Sequence, residues 1–146
     1  MAGNPYPVHG FVEQRRVGQI MVADLHGPWN LECMQDAVRR ANPVIDDMLR
    51  TGPVGIIIVV HDSMLGTSDS LAEIRGKSAE RSQDGRIAVA WVAHPGIEGR
   101  ELMVSVLEET YRNTLPMRIF HDVESAERWI QGFIESTRAP ILARSG

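Results

Sequence analysis

Two apolar runs constrain the fold of this chain more than any other feature. They are VGIIIVV at 54–60 and RIAVAWV at 86–92, and apolar side chains fill almost every position of both. A strand with one solvated face alternates polar and apolar residues, whereas a strand of a parallel sheet is covered on both faces. We therefore expect both runs to be central strands of a parallel sheet.

Segments with helical or strand periodicity surround these runs. The stretch 11–27 predicts a β-hairpin that turns near Val17 and Gly18. A long helix follows behind an Asn30 cap, and Pro43 must kink it or restart it with Asn42 as a new cap. A short last strand and three more helices are predicted in the segments MRIF, SLAEIRGKSAERSQ, GRELMVSVLEETYRN and VESAERWIQGFIE.

The order of these elements is ββαβαβαβα, which predicts an α/β fold with right-handed crossovers. We expect one domain at 8–135, built on a five-stranded, mostly parallel sheet with an N-terminal hairpin. A chain of 146 residues that is 43% hydrophobic is long enough to bury a core of this kind. Flexible tails are expected at 1–7 and 136–146, where Gly, Pro and small polar residues replace the periodic patterns.

Periodicity also predicts which side chains the elements bury. In the strand at 86–92, Ile87 should share a face with Val89 and Trp91. In the two middle helices, Ala79 and Leu102 fall among the positions expected to face the core. The buried stripe of the last helix is expected to consist of Ala126, Trp129, Ile130, Phe133 and Ile134.

Charge and composition exclude several classes of function. The net charge is -4 and the basic residues are scattered, whereas a nucleic-acid interface needs a concentrated basic face. The sequence also lacks a signal-peptide pattern and an apolar run long enough for a transmembrane segment. We expect a cytoplasmic protein, and its single cysteine, Cys33, excludes an intrachain disulfide.

Several segments carry a family resemblance. LHGPWN, IIIVVHDS and RIAVAWV, followed by MRIFHDVESAERWI, resemble the bacterial SpoIIAA-like proteins of the STAS/SEC14-like superfamily, over about 10–134. The resemblance implies a small βα superhelix without an established catalytic activity. It also places the serine that is phosphorylated in anti-sigma-factor antagonists near Ser68 and Ser70. Leu71 and Ala72 replace the second serine and the glycine of the antagonist pattern D-S-S-G.

The two serines admit a structural and a regulatory interpretation. In the structural one, Thr67 or Ser68 caps a helix, and Ser70 forms a capping box with Glu73. In the regulatory one, a phosphate on Ser68 or Ser70 would meet the N-terminus of that helix, which favours an anion. We favour the structural interpretation because the antagonist pattern is incomplete.

A second candidate site depends on where histidines fall. The carboxyl ends of the strands in an open α/β sheet form the edge where ligands bind. If the strands lie in sequential order, side chains at this edge can converge on a ligand or an anion. Zinc-ligand spacing is not found in this set. The histidines and their neighbouring acids are His26, His61, Asp62, His94, His121 and Asp122.

Cys33 is the remaining candidate for chemistry. It lies in the first turn of the long helix, where the helix dipole can lower the pKa of a thiol, and His26 is a conceivable base. A buried structural cysteine is much commoner. We therefore assign no catalytic residue, no cofactor and no metal.

Three functions compete. The first is a non-enzymatic regulatory or protein-interaction module, and the second is a carrier or sensor of a small apolar or amphipathic ligand. The third is an enzyme of unknown class. They differ in where function sits, since a module uses its surface, a carrier needs an apolar cavity and an enzyme needs convergent polar groups.

We also expect a homodimer. Sequential right-handed crossovers put every connecting helix on the same side of the sheet, so the opposite face needs another cover. The central strands offer no polar face for solvent, and an apolar face of that size marks an interface. The competing explanations are a bound apolar ligand, or an internal cover by the helix broken at Pro43 or the helix SLAEIRGKSAERSQ.

Overall fold

The computed structural model describes residues 8–81 and 84–145, so the tail expected at 1–7 lies outside the described residues. Five strands form one sheet in the order of the sequence: β1 (Phe11–Val17), β2 (Ile20–His26), β3 (Val54–His61), β4 (Arg86–Val92) and β5 (Met117–Phe120). β1 is antiparallel to β2, and each later strand is parallel to its neighbour. The helices of the described ranges are α1 (Leu31–Leu49), α2 (Ser68–Arg81), α3 (Arg100–Thr110) and α4 (Val123–Ser145).

This architecture confirms the expected α/β fold, its element order and the N-terminal hairpin. The Asn30 cap is present as well, because the Asn30 side chain accepts a hydrogen bond from the backbone N–H of Cys33 at 3.1 Å. α4 begins at Val123 as expected, and its backbone continues to Ser145. It therefore runs into the segment 136–146, for which the sequence predicts a flexible tail.

Helices cover the two faces of the sheet unequally. On one face, which we call the crossover face, α1, α2 and α3 pack on strand residues that include Leu25, Val89 and Trp91. On the other face, which we call the α4 face, α4 packs on Ile57 and on the alanines of β4. The three helices that connect parallel strands therefore share one side, as right-handed crossovers require.

The cover of the opposite face differs from the expectation. Neither the Pro43-containing helix nor the helix at 68–81 crosses that face, and α4 covers it instead. α4 follows β5 and joins no two strands of this sheet, so the handedness rule leaves its side free. Because α4 covers this face, an open sheet face no longer supports the expected homodimer, which stays a prediction.

α4 approaches the sheet closely because the strands present small residues there. Gly55 of β3 faces Ile130, and a Cβ atom at Gly55 would overlap the Cγ2 atom of Ile130. Ala88 and Ala90 of β4 are fully buried under the same helix. A single helix thus lies close to the centre of the sheet on this face.

α1 continues through its proline. Residues 31–49 form one helix with Pro43 inside it, so the chain does not restart at Asn42. A proline removes one backbone donor, and the exposed position of Pro43 leaves the freed carbonyl of the preceding turn accessible to water. Burial of Ile45 and Met48 against β2 and β3 holds the second half of the helix in place.

Three buried-face expectations are wrong in detail. Leu102 is 63% exposed, and Ala79 is exposed too, while α2 buries Ser70 and Ser78 on the same stripe as Ile74. These three α2 positions recur every four residues, which is the helical spacing of one face. The small hydroxyl side chains were not expected there because serine is mostly an exposed residue.

A β-bulge accounts for the third difference. Val54 pairs with Arg86 and the next residue of β3, Gly55, pairs with Ala88, so Ile87 is an extra residue in β4. Ile87 consequently packs with the α4 cluster, and the expected face shared with Val89 and Trp91 is wrong for this residue alone. Arg86 is left on the crossover face beside its partner Val54.

β1 is one outer strand of the sheet, and side chains bind it to α1. The Arg40 guanidinium donates to the carbonyl oxygen of Val12 at 2.9 Å and to the Asp36 carboxylate at 3.0 Å. In the opposite direction, the Gln14 amide donates to the carbonyl of Ala37 at 2.8 Å. These bonds fix the position of α1 against the edge of the sheet.

Candidate functional site

Two of the four candidate histidines meet at the carboxyl edge of the sheet. His26 and His61 are register partners at the ends of β2 and β3, and their rings stack with centroids 4.6 Å apart. Phe11, the register partner of His26 in β1, stacks on its other side at 4.2 Å. We call Phe11, His26 and His61 the aromatic stack.

Two aspartates bind the histidines of the stack. Asp24 accepts a hydrogen bond from Nε2 of His61 at 2.8 Å and another from Arg15 at 2.6 Å. Asp62, which has a positive φ of 68° directly after β3, places its carboxylate 3.3 Å from Nδ1 of His26. Each imidazole therefore has its own carboxylate.

Asp24 is held in its charged form. Burial alone would raise the pKa of this carboxyl, but the hydrogen bonds from His61 and Arg15 outweigh burial and keep the pKa below its ordinary value. Asp24 and Arg15 therefore form a structural ion pair at the rim of the sheet. Within the described ranges, no three His, Cys, Asp or Glu side chains are grouped so that they could hold a metal ion.

The other two histidines lie apart from the stack. β4 ends two residues before His94, whose Nδ1 atom accepts from the backbone N–H of Gly96 at 3.3 Å. β5 ends before His121, which is exposed in the turn to α4. Asp122 caps that helix, since its carboxylate accepts from the backbone N–H of Ser125 at 2.8 Å and from its hydroxyl at 3.1 Å.

That cap lowers the pKa of Asp122. The backbone hydrogen bond from Ser125 is the largest cause, and the hydroxyl of Ser125 adds to it. His94, His121 and Asp122 thus form no common site with the aromatic stack in the part of the chain that the structure describes. Of the four histidines that the sequence predicts to converge at this edge, the structure brings His26 and His61 together.

The two candidate serines occupy different environments at the start of α2. Ser68 is the first helical residue and is exposed, whereas Ser70 is fully buried. The Ser70 hydroxyl donates to the carbonyl oxygen of Thr67 at 2.6 Å, and the Leu71 backbone N–H donates to the same oxygen at 3.1 Å. Thr67 therefore occupies the cap position, and the expected capping box of Ser70 with Glu73 is not how α2 begins.

The surroundings of Cys33 raise the pKa of its thiol, whereas a nucleophilic cysteine needs a lowered pKa. Burial raises the pKa of the thiol, the nearby Asp36 raises it further, and Arg40 only partly opposes them. The suggestion that the pKa of this thiol is lowered is thus wrong, because burial and the charge of Asp36 raise it. Cys33 is a buried core residue.

A cavity that the sequence did not predict lies between the crossover face and helices α1 and α2. Its volume is about 150 Å³. A cavity of that size with an apolar lining is able to hold a benzene-sized molecule. Its walls combine alanines with flexible methionines: Met21, Ala23, Met34, Ala37 and Ala41, with Val12, Leu25, Val38, Ile45, Ile56, Ile58, Ile74, Val89 and Leu115 completing the apolar lining.

Small residues on facing elements explain the cavity. Ala23 of β2 lines the cavity together with Ala37 and Ala41, which lie one turn apart on α1. Three short side chains in one lining leave space that neighbouring side chains do not fill. The alanines are present in the sequence, but only the tertiary structure shows that all three line the same cavity.

Polar residues line the cavity at a few positions. Gln14, Asn42, Glu73 and Lys77 are half-buried, so they mark the side of the cavity that approaches solvent. The remaining polar lining residues are buried: Ser78, Arg86 and Tyr111.

Tyr111 is the best-defined of the buried polar groups. Its hydroxyl oxygen accepts from Nε1 of Trp91 at 3.1 Å, and the Ser78 hydroxyl is a second hydrogen-bond partner. Complete burial raises the pKa of Tyr111 to about 12, although both hydrogen bonds oppose the rise. The phenol is therefore neutral at physiological pH and can donate a hydrogen bond.

Comparison with known proteins shows the fold of the chain. No family model matches it, and no curated protein does. Among solved structures, the chain is similar to an uncharacterized protein of the DUF3478 family from Shewanella loihica PV-4, which has a SpoIIAA-like fold. The two are 14% identical over 89% of this chain and 98% of the other, with a TM-score of 0.54.

The SpoIIAA-like fold expected from the sequence is thereby confirmed. In the ranges that the structure describes, no helix has the length and apolar character needed to cross a membrane. At this level of identity the likeness extends to the fold alone, so function has to be argued from the geometry of this chain.

Proposed function

We propose that this protein is a non-enzymatic carrier or sensor that binds a small apolar or amphipathic ligand in the cavity between α1, α2 and the sheet. The cavity is the observation that carries the proposal. It has an almost entirely apolar lining and a volume of about 150 Å³. Binding there would remove apolar ligand surface from water, which contributes roughly 25 cal/mol for each Å² that is buried.

The groups around the cavity support a binding role more than a catalytic one. A nucleophile or a general base at neutral pH needs a suitably lowered or poised pKa. Burial instead raises the pKa of Tyr111 to about 12, and it also raises the pKa of the neighbouring α1 thiol, Cys33. The Ser78 hydroxyl is already engaged with Tyr111.

The position of the cavity also suits a sensor. Its lining includes six residues of α1 and four residues of α2, so a ligand would contact both helices at once. α2 buries few large side chains, since Ile74 is its only large apolar residue that is buried among those described. Ligand binding would therefore stabilise the position of α2, which presents Ser68 on the protein surface.

Titration of the protein with hexan-1-ol tests the proposal. We expect saturable binding to one site, with chemical-shift changes in NMR spectra concentrated on residues that line the cavity. The variant Ala41→Leu should weaken binding at least tenfold, because the added side chain fills the cavity. Ala72→Leu, an exposed position on α2, is the matched control and should bind like the wild type. Absence of saturable binding, or unchanged binding by Ala41→Leu, would refute the proposal.

A second function, a protein-interaction module that forms a homodimer, is favoured by the aromatic stack. Phe11 is 53% exposed although its ring lies flat against His26, so a large apolar surface meets solvent at the sheet edge. Aromatic residues of this kind are enriched at protein interfaces. Sedimentation velocity at low micromolar concentration tests this proposal: a dimer that Phe11→Ser converts to a monomer would support it, and a monomeric wild type would refute it.

A further inference from the structure

We infer that the outer edge of β5 is a docking site for an extended, acidic segment of a partner protein, which adds a strand to the sheet there. This inference goes beyond ligand binding in the cavity and depends on a different part of the molecule. β5 is the last strand of the sheet, so only one of its two sides pairs with another strand. An outer strand of this kind offers its free backbone groups to a second chain.

The hydrogen bonds of β5 show which backbone groups are free. The carbonyl oxygens of Pro116 and Phe120 both accept bonds from the side of β4, each at 2.9 Å. In a parallel ladder the bonding direction alternates from residue to residue, so Met117 and Ile119 direct their N–H and C=O groups outward. Among the described residues, no helix, loop or side chain bonds to these outward groups.

A groove of about 350 Å³ lies beside this edge. Part of its lining is a stripe of α3, in which Arg100, Val104 and Glu108 recur at every fourth residue. The rest of the lining belongs to β5 and includes the half-buried side chains of Met117 and Ile119. Because side chains alternate along a strand, an added segment would place every second side chain in this groove.

The charges of the groove favour an acidic segment. Arg100 and Arg118 outnumber Glu108, so the groove is positive in a chain of net charge -4. Arg100 donates from Nε to a backbone carbonyl of the loop after β4 at 3.0 Å, and the guanidinium of Arg118 lies 5.3 Å from the centre of the Phe120 ring. Neither arginine forms an ion pair with a residue that the structure describes. Both charges are therefore available to carboxylates of a partner.

The position of Arg118 disfavours a second copy of this chain as the occupant. Arg118 pairs with Ala90 and lies on the α4 face, whereas Met117 and Ile119 lie on the crossover face. A symmetric antiparallel pair that uses the outward groups of Met117 and Ile119 is centred on Arg118. The Arg118 side chains of the two copies would then be directly opposite each other, and like charges in that position destabilise a sheet.

These features define the pattern of the partner segment. The residues that pair with Met117 and Ile119 should be apolar, because they would share the groove with Val104. The residue between them would lie opposite Arg118 and should be acidic. The segment is therefore expected to read apolar, acidic, apolar in an extended region of the partner.

Synthetic peptides test the inference on the whole chain. Gly-Thr-Val-Glu-Val-Thr-Gly carries the pattern, and in NMR titrations we expect saturable binding with the largest amide shifts at 117–119. A peptide with Lys in place of Glu should bind at least about fivefold more weakly, because it sets like charges opposite each other. A peptide with both Val nitrogens methylated should bind at least about tenfold more weakly, because it lacks the two N–H groups that pair with the edge.

Arg118→Glu is the matched variant of the protein. It reverses the charge at an exposed position, so it should weaken binding of the glutamate peptide and strengthen binding of the lysine peptide. Arg50→Glu makes the same change at the end of α1, where the side chain is 80% exposed, and should bind both peptides like the wild type.

Several outcomes would overturn the inference. Equal binding of the N-methylated peptide would show that no strand is added, and equal binding of the two charged peptides would show that the edge does not select an acid. Absence of saturable binding, or shifts that leave 117–119 unchanged, would remove the docking site altogether. Shifts at 117–119 that grow with protein concentration alone would show that a second copy occupies the edge.

Discussion

The two faces of the sheet are built differently. On the α4 face, one helix lies on glycine and alanine positions, and its contact with the sheet is close enough that Gly55 has no room for a Cβ atom. On the crossover face, three helices lie on larger side chains and leave a cavity of about 150 Å³. Close packing stabilises the first face, whereas the second is packed less closely and leaves the space that the proposed ligand would occupy.

Under the proposed function, this difference assigns stability mainly to one face of the sheet and ligand binding to the other. Truncating a side chain on the α4 face should lower the free energy of unfolding and leave the cavity unchanged. Enlarging a side chain that lines the cavity should weaken ligand binding and leave the free energy of unfolding almost unchanged. Substitutions on the two faces therefore give opposite expectations, and the following predictions are ordered by the size of the expected effect.

Ile130→Ala should have the largest effect. Ile130 is fully buried on the α4 face, and removal of such a side chain typically destabilises a protein by about 2–5 kcal/mol. Urea unfolding monitored by circular dichroism measures the change. Leu102→Ala, at an exposed apolar residue, should stay within about 0.5 kcal/mol. Equal effects of the two variants would mean that α4 does not hold the sheet.

The same substitution on the two faces gives the sharpest comparison. Ala88→Leu adds three carbons where α4 lies against β4, and overpacking of this kind costs about 1–3 kcal/mol. Ala41→Leu adds the same atoms at the cavity, where space is available, and should change the free energy of unfolding by less than about 1 kcal/mol. Similar losses in both variants would show that the cavity cannot accept added atoms.

The edge of the sheet should respond to pH through Asp24. Its pKa is lower in the folded protein than in the unfolded chain, so its stabilising effect is present above the unfolded pKa, near 3.8, and is lost as pH falls through the folded pKa. Asp24→Asn should lower the free energy of unfolding at pH 7 by about 1 kcal/mol and reduce the acid dependence below pH 4. Urea unfolding at several pH values measures both, with exposed Asp46→Asn as the control; an unchanged acid branch would contradict the role of Asp24.

The smallest effects concern the start of α2. Ser70→Ala removes a buried hydrogen bond to the carbonyl of Thr67 and should cost about 1 kcal/mol, whereas Ser68→Ala at an exposed position should stay within about 0.5 kcal/mol. Thermal unfolding of the two variants checks the order. Neither serine is expected to be phosphorylated, and stoichiometric phosphoserine in protein from the native host would contradict this.

The sequence predicted most of the fold because apolar periodicity and capping residues are local signals. The alternating elements, the hairpin at Val17 and Gly18 and the Asn30 cap all follow from residues close together in the chain. The side of α4 could not be predicted, because a helix after the last strand obeys no crossover rule. Its position depends on the small residues of β3 and β4, which lie far away in sequence.

The candidate site was predictable only in part. His26 and His61 end paired parallel strands, so sequential strand order was enough to bring them together. His94 and His121 lie beyond the last residues of β4 and β5, where the chain has already left the sheet. The Ile87 bulge and the clustering of the three alanines around the cavity are products of tertiary packing, which no local pattern encodes, so both the bulge and the cavity were missed.

The binding of β1 to α1 has a consequence for behaviour at high concentration. An outer strand with free backbone groups is a template on which another molecule can add its own strand, and such growth leads to aggregation. Here the Arg40 guanidinium of α1 donates a hydrogen bond to the carbonyl oxygen of Val12. The same strand also carries three charged side chains: Glu13, Arg15 and Arg16. The edge of the sheet therefore discourages neighbouring molecules from adding a strand to the backbone of β1.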